Sequence, residues 1–215
     1  KITVIPVWAD RDAVKPLPKN NHFRKKNHLK DKFVVMYAGN LGHTSCLEDV
    51  LECARLLKYK SNIHFIMVGE GVKKEALMQF AQENELINVT FLPYQPRENF
   101  SEMLAAADIS LVTLNERSHL SSLPSKTFNI MASARPILAV APSDSEITHL
   151  VKETKCGISI SPGNPEKLAN TILNMERYSK ETLDTLGQNG RTQLVGKYSR
   201  VKCVRDFEQM ISKII

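Results

Sequence analysis

The chain has 215 residues, of which 42% are hydrophobic and 24% charged, enough apolar material for one soluble core with attachments. No apolar run reaches the roughly 18 residues of a membrane-spanning helix, so the sequence does not predict one. The net charge of +6 comes entirely from residues 1–32, which hold nine Lys or Arg against three Asp or Glu. A neutral domain with a basic leader does not indicate nucleic-acid binding.

Residues 1–32 are predicted to be an inter-domain linker and basic leader, because they contain three prolines and little periodicity. The start, KITVIPVWAD, has neither an initiator Met nor a signal-peptide layout, which favours a piece of a longer cytoplasmic protein. We expect the leader to be solvated; peripheral contact with the anionic inner face of a membrane is the alternative. Its basic residues include Lys15, Lys19, Arg24, Lys25, Lys26, Lys30 and Lys32. The four cysteines show no CxxC spacing, which indicates reduced, buried thiols.

From residue 33 onward, short apolar runs alternate with segments of helical periodicity. The runs predict six strands: KFVVMYAG, IHFIMVG, NVTFLP, DISLVTL, PILAV and CGISI. Helices are predicted over 47–58, 73–84, 97–106, 124–133 and 165–176, and two closing helices over 179–195 and 199–214.

This alternation is typical of the α/β fold class. Strands that are apolar on both faces and separated by helices form a parallel sheet covered on both sides. We therefore predict a Rossmann-like, doubly wound domain over residues 33–198, followed by a C-terminal closing helix over 199–215. Ligands of such sheets bind beyond the carboxyl ends of the strands.

The loop AGNLGHTS follows the first strand and carries Gly39, Asn40 and Gly42. Glycines there let the backbone approach a ligand closely, and amides at the following helix start can hold an anion. The spacing is not GxGxxG, and no acidic residue stands about 20 residues further on, so dinucleotide binding is disfavoured. A tight strand-to-helix turn would explain either glycine alone.

The segment SSLPSKTFN is predicted to begin a helix with Pro124 at its first position and the hydroxyls of Ser121 and Ser122 just before it. Lys126, Asn129 and Ser133, spaced at i, i+3 and i+7, would share one face of that helix. A lysine in a first turn opposes the helix dipole unless an anion is bound. Two interpretations of Lys126 stay open: a ligand of a bound phosphate, or a lysine extended into solvent.

Tyr94 and Gln95 lie between two prolines after the third strand. An aromatic ring and an amide at a strand end suit a nucleobase, although simple loop packing of Tyr94 is the alternative. The sequence contains neither a nucleophile signature nor a histidine–carboxylate cluster with metal spacing. We therefore expect no protein-held metal and no cofactor, and no catalytic residue is indicated.

These loops, in this order, resemble the C-terminal, donor-binding half of a GT-B-fold retaining glycosyltransferase of family 4, of the bacterial surface-polysaccharide type. The motifs that carry the resemblance are KITVIPVWAD, KFVVMYAGNLG, IHFIMVGEG, NVTFLPYQP, MLAAADISLVTL and LPSKTFNIMASARPILA. The resemblance implies a nucleotide-sugar donor, with UDP favoured, and a polysaccharide or lipid-linked acceptor bound by a missing N-terminal domain. It also implies that this half alone is inactive.

The resemblance also implies roles for individual positions. Asn129 would bind the ribose, and Tyr94 and Gln95 would bind the base. The donor diphosphate and sugar would be held by two segments, comprising Gly39, Asn40, Gly42, Ser121, Ser122, Leu123, Pro124, Ser125 and Lys126.

The sequence departs from the family pattern at two places. The two glutamates of the family's Glu-x7-Glu pattern are replaced by Ser121 and Asn129, and the first glycine loop lacks the family's Arg and Lys. Our hypothesis is that Lys126 supplies the missing positive charge. Two other functions remain open: a GT-B-fold nucleotide-sugar 2-epimerase, and a non-catalytic nucleotide-binding module.

Overall fold

The computed structural model describes Thr3, Ile5, Trp8, residues 13–118 and residues 123–213. Its centre is a sheet of six parallel strands in the order β3-β2-β1-β4-β5-β6. The strands are β1 Phe33–Ala38, β2 Ile63–Val68, β3 Val89–Leu92, β4 Ile109–Thr113, β5 Ile137–Val140 and β6 Gly157–Ile160. The predicted α/β, Rossmann-like fold with six strands is therefore confirmed.

Helices connect the strands and cover both faces of the sheet. In the described residues they are α1 His22–Lys26, α2 Leu47–Leu56, α3 Lys74–Glu83, α4 Phe100–Ala105, α5 Lys126–Ala132, α6 Glu146–Thr154, α7 Pro165–Glu176, α8 Lys180–Lys197 and α9 Arg200–Ile211. A short 3₁₀ turn, Arg97–Asn99, leads into α4. None of the helices between residues 13 and 213 that can be described is both long and apolar enough to cross a bilayer.

Two hydrophobic cores lie on opposite faces of the sheet. Alternate residues of β1 serve the two cores: Val34 and Met36 face one, and Val35 and Tyr37 face the other. Helices α4, α5 and α6 contribute to the core of Met36, while α2, α3 and α7 contribute to the core of Tyr37. Because the central strands β1, β2, β4 and β5 are covered on both faces, their sequences are largely apolar runs.

The strand order reverses between β1 and β4. These neighbouring strands lead into connections on opposite faces of the sheet, so a crevice forms at their carboxyl ends. The first glycine loop follows β1, and the connection to α5 follows β4. The topology therefore brings the two segments that the sequence singled out to the same edge of the sheet.

The basic leader contains an element that the sequence pattern did not predict, the five-residue helix α1. The expectation that Arg24 is solvated is wrong, because only 2% of this residue is exposed. Its guanidinium pairs with the carboxylate of Asp108, just before β4, and donates to the carbonyl of Ala106 over 2.8 Å. Asp108 also pairs with Lys19 and accepts from the amide of Val34 over 2.8 Å. Lys19 and Arg24 thus bind the leader to the domain through Asp108.

The four cysteines are unpaired and buried, as the sequence indicated. Burial raises the pKa of Cys46 to about 12 and raises that of Cys53 further. Neither thiol forms a thiolate at neutral pH, so these two cysteines serve as small core residues.

Candidate functional site

Two glycine loops, after β1 and after β2, pack backbone against backbone at the carboxyl edge of the sheet. The amide of Gly39 donates to the carbonyl of Val68 over 2.9 Å, and the amide of Leu41 donates to that of Glu70 over 2.8 Å. An added Cβ on Gly69 would lie 1.9 Å from the carbonyl oxygen of Gly39. The first loop is therefore held in place by the second, and the second loop needs Gly69 for this close approach.

Helix α5 begins later than the sequence suggested. Its first residue is Lys126, whereas Pro124 was expected at the first helical position. The carbonyls of Pro124 and Ser125 accept from the amides of Thr127 and Phe128, in i-to-i+3 turns that precede the regular helix. The helix has seven residues instead of the three turns expected, so we assign the site to the Lys126 side chain rather than to the helix dipole. The predicted ligands Ser121 and Ser122 lie outside the described residues.

The side chain of Lys126 reaches across the carboxyl end of β1 to the first glycine loop. Its Nζ lies 3.8 Å from the ring centroid of Tyr37, on the side of the sheet opposite to α5. An added Cβ on Gly39 would lie 2.7 Å from this Nζ. Lys126 and the glycine loop are thus in contact, and the absence of a side chain at Gly39 makes room for the lysine.

The interpretation of Lys126 as a solvated surface residue is wrong. Most of the side chain is shielded from solvent, and burial lowers the pKa of Lys126 to about 7. In the part of the chain that the structure describes, no carboxylate lies within ion-pair distance of its Nζ. A largely shielded lysine without an acidic partner destabilises a fold, and such groups occur at sites where a ligand supplies the negative charge.

Tyr37 connects Lys126 to the loop. Its hydroxyl donates to the carbonyl of Asn40 over 2.7 Å and lies 3.0 Å from Oγ of Ser45. The residue is fully buried, and burial raises the pKa of its phenol to about 12. The hydroxyl therefore stays protonated and acts as a fixed donor to the loop backbone.

Asn129 lies one turn after Lys126 and is partly exposed. The two side chains line the same small cavity of about 10 Å³ together with Ser110, so the predicted shared face is observed. Ser133, at the end of α5, is buried and its hydroxyl donates to the carbonyl of Ile130 over 2.8 Å. Only Lys126 and Asn129 of this face are thus available to a ligand.

The loop after β3 presents Tyr94 to solvent, with 56% of the residue exposed. Gln95 is partly exposed and its amide donates to the carbonyl of Pro93 over 2.9 Å. The alternative interpretation, in which Tyr94 packs against the domain, does not fit this exposure. The exposed ring remains free to stack on a planar ligand.

Two residues near the site were missed by the sequence interpretation. Tyr37 was counted as one of a run of core residues in β1; its position two residues before Gly39 is the signal that its hydroxyl can reach the loop. Lys73, in the second glycine loop, places its Nζ 3.4 Å from the carbonyl of Ser45 and 2.7 Å from the carboxylate of Glu48. This ion pair with Glu48 neutralises Lys73, so Lys126 is the cation beside Gly39 that has no carboxylate partner among the described residues.

No group of three or more His, Cys, Asp or Glu in the described ranges could hold a metal ion.

The other predicted positions are placed as follows: Gly42 lies in the first glycine loop, Leu123 packs against the α5 core, and Ser125 is exposed before α5.

Comparison with known proteins assigns the chain to a family. The model of the family described as "Glycosyl transferases group 1" matches residues 18–193, which include both glycine loops and all of α5. The chain belongs to the glycosyl transferases group 1 family. The family assignment thus covers the sheet and the site together.

Group 1 relatives of known name include two bacterial proteins. WbjE of Pseudomonas aeruginosa, named as a glycosyltransferase, is 28% identical over 100% of this chain and 53% of its own length. WcaI of Escherichia coli, named for colanic acid biosynthesis and glycosyl transfer, is 33% identical over 72% of this chain and 40% of its own length. The chain thus spans about half of these relatives or less.

Two solved structures have the same fold as this chain. Anabaena HepE in complex with UDP-glucose superposes with a TM-score of 0.83 and 19% identity, covering 98% of this chain and 57% of that one. Sucrose-phosphate synthase from Thermosynechococcus elongatus superposes with a TM-score of 0.82 and 20% identity, covering 98% and 52%. At these identities the likeness concerns the fold.

Proposed function

We propose that this chain is the donor-binding half of a retaining, GT-B-fold glycosyltransferase of family 4. The donor would be a nucleotide-sugar, with UDP as the nucleotide, and the acceptor a polysaccharide or a lipid-linked sugar. The observation that carries the proposal is the ammonium of Lys126, which lies against Gly39 and the ring of Tyr37, largely shielded from solvent, with no acidic partner among the described residues. A diphosphate at this point would supply the counter-charge.

Each part of the donor has a candidate partner at the carboxyl edge of the sheet. The diphosphate would meet Lys126 and the loop that contains Gly39, Asn40 and Gly42. Asn129, on the same face of α5 as Lys126, would bind a ribose hydroxyl. Tyr94 and Gln95 would hold the base at the end of β3.

The chemical contribution of this half would be electrostatic. Transfer releases a nucleoside diphosphate, on which negative charge develops as the bond to the sugar breaks. A cation and backbone dipoles that are already oriented toward this charge stabilise the transition state without reorganisation. The acceptor and the groups that position it would come from the other half of the protein, so this chain alone is expected to bind the donor without transferring sugar.

The complexes named for structurally similar proteins support the choice of nucleotide. HepE has been crystallised with UDP-glucose and with UDP, and its fold matches 98% of this chain. The choice of UDP is therefore an extension from a protein of the same fold, and it is open to direct measurement.

Calorimetric titration of the 215-residue chain tests the proposal. UDP, GDP, ADP and uridine are compared in EDTA, and UDP is tested again with magnesium. We expect UDP to bind best, uridine to bind more weakly, and EDTA to make no difference. No binding of any nucleoside diphosphate would contradict the proposal, and binding that requires magnesium would contradict its metal-free form.

A transfer assay on the longer protein separates the three functions left open by the sequence. UDP-sugars with a radiolabelled sugar are incubated with the protein and a lipid-linked acceptor. Transfer of label to the acceptor supports the glycosyltransferase. Conversion to the epimeric nucleotide-sugar would indicate the 2-epimerase, and binding without either reaction would indicate a non-catalytic module.

A further inference from the structure

Tyr37 makes two contacts at the site that belong to different parts of the fold. Through its hydroxyl it holds the carbonyl of Asn40, the residue that follows Gly39 in the first glycine loop. Through its ring it lies under the ammonium of Lys126, whose helix is on the other face of the sheet. One buried side chain therefore fixes both the loop backbone and the cation.

The hydroxyl contact constrains the loop strongly. A phenol has a single proton, which Tyr37 donates to Asn40, so the hydroxyl of Ser45 must act as the donor in its 3.0 Å contact with Tyr37. Because Ser45 lies just before α2, the tyrosine connects both ends of the first glycine loop. Rotation of the loop would leave buried polar atoms without partners, which is unfavourable.

The ring contact sets the position of the cation. A lysine side chain has four rotatable bonds and loses much conformational freedom when it is held in one place. The face of an aromatic ring attracts an ammonium, and at 3.8 Å from the ring centroid the Nζ of Lys126 is well within the range of this attraction. Gly39 on one side and Tyr37 on the other leave the ammonium a narrow range of positions.

We propose that Tyr37 is a positioning residue for the donor diphosphate, which places the Lys126 ammonium and the glycine-loop backbone so that both meet the same phosphates. This inference rests on the proposed function. It predicts that Tyr37 acts on affinity through Lys126 and through the loop, without contacting the nucleoside.

The test measures the affinities of UDP and uridine for variants of the 215-residue chain. Tyr37→Phe keeps the ring and removes the hydroxyl, and should weaken UDP binding by about two- to tenfold while uridine binding stays unchanged. Tyr198→Phe is the matched control, because Tyr198 is also buried and lies against Phe128 of α5 with ring centroids 5.1 Å apart. It should leave the ratio of the two affinities unchanged.

A double-mutant cycle tests the dependence on the lysine. Tyr37→Met should weaken UDP binding by a further two- to thirtyfold, which is the range expected for a desolvated cation–aromatic contact. In a chain that already carries Lys126→Met, the same change should cost markedly less. A structural role of Tyr37 alone would give the same loss in both backgrounds.

The outcomes distinguish the inference from the function on which it rests. Equal losses for UDP and uridine, or equal losses of UDP affinity in the two backgrounds, would overturn the role of Tyr37 and leave donor binding intact. If Tyr37→Met does not fold, the test rests on Tyr37→Phe alone. An unchanged ratio of UDP to uridine affinity in Tyr37→Phe would then overturn the inference. Failure of the unmodified chain to bind UDP would contradict the proposed function and the inference together.

Discussion

The carbonyl oxygen of Gly39 lies where a side chain on Gly69 would begin, 1.9 Å from the position of an ideal Cβ. Gly69 also has a φ of 146°, a conformation that other residues rarely adopt. The two glycine loops therefore fit together only while position 69 lacks a side chain. Any side chain at Gly69 would displace the first glycine loop, so we expect it to affect both stability and the UDP binding proposed for this loop.

Gly69→Ala should accordingly lower both stability and affinity for UDP. We expect a loss of at least about 2 kcal/mol in the free energy of unfolding, from strain and from the contact with Gly39. Gly163→Ala separates the two causes, because Gly163 has a φ of 79° but no heavy atom within 4 Å of its Cβ position. Gly196→Ala, in helix α8 and equally open, should be neutral or stabilising by up to about 1 kcal/mol. Wild-type melting and UDP affinity in Gly69→Ala would contradict the packing of the two loops.

The buried ion pair between Arg24 and Asp108 should fasten the leader to the domain. Asp108→Ala removes the partner of a guanidinium whose side chain is only 3% exposed, and should cost about 3–5 kcal/mol in chemical denaturation. Lys19→Ala removes the other cation, which is 36% exposed, and should cost less than about 1 kcal/mol. Similar small losses for both variants would show that residues 13–32 do not pack as described.

Lys126→Met should stabilise the chain while it weakens donor binding. The pKa of Lys126 is about 7 in the fold and about 10.4 when unfolded, so the unfolded state binds more protons between these values. The charge on Lys126 therefore lowers the free energy of unfolding of the wild type most at pH 7 and below. This destabilisation disappears as the pH rises toward 10.4. We expect the variant to be more stable by up to roughly 4 kcal/mol at pH 7. Thermal unfolding at pH 7 and pH 10 measures this, and a less stable variant at pH 7 would contradict the burial of the charge.

The sequence predicted the architecture well because the four central strands are buried on both faces. Runs such as those of β1 and β4 are apolar for that reason, and the alternation with helices then determines a parallel sheet. It did not predict α1, because the burial of Arg24 depends on Asp108, 84 residues further along the chain. Pro124 marked the approach to α5 but not its first residue, since proline also suits the turn that precedes a helix.

For the candidate site, the sequence singled out the lysine that the structure places against the first glycine loop, at the carboxyl edge of the sheet. Loops after neighbouring parallel strands must meet, so a contact between Gly39 and Lys126 could be anticipated from β1 and β4. The shielding of Lys126 from solvent could not be anticipated, because it requires the side chain to cross the end of β1 and contact the ring of Tyr37. The pairing of Lys73 with Glu48 likewise depends on how α2 and α3 pack.

UDP affinity should depend on pH through Lys126. In the free chain this lysine is half charged near pH 7, and a bound diphosphate raises its pKa by favouring the charged form. Above pH 7, binding must therefore take up a proton, and affinity should fall by about tenfold between pH 7 and pH 9. The terminal phosphate of UDP itself gains a proton near pH 6, so the useful range begins at pH 7. Calorimetry in buffers of different ionisation enthalpy at pH 8 should show proton uptake in the wild type and none in Lys126→Met. A flat profile with no uptake would contradict the linkage.

The comparison of UDP with uridine in Lys126→Met tests the central claim most directly. Loss of a charge-assisted hydrogen bond to phosphate should weaken UDP binding at pH 7 by about tenfold to hundredfold and leave uridine binding nearly unchanged. Lys152→Met is the matched control, since Lys152 is an exposed lysine of α6 and should affect neither ligand. Unchanged affinity for UDP in Lys126→Met, or an equal loss for UDP and uridine, would contradict the assignment of Lys126 to the donor diphosphate.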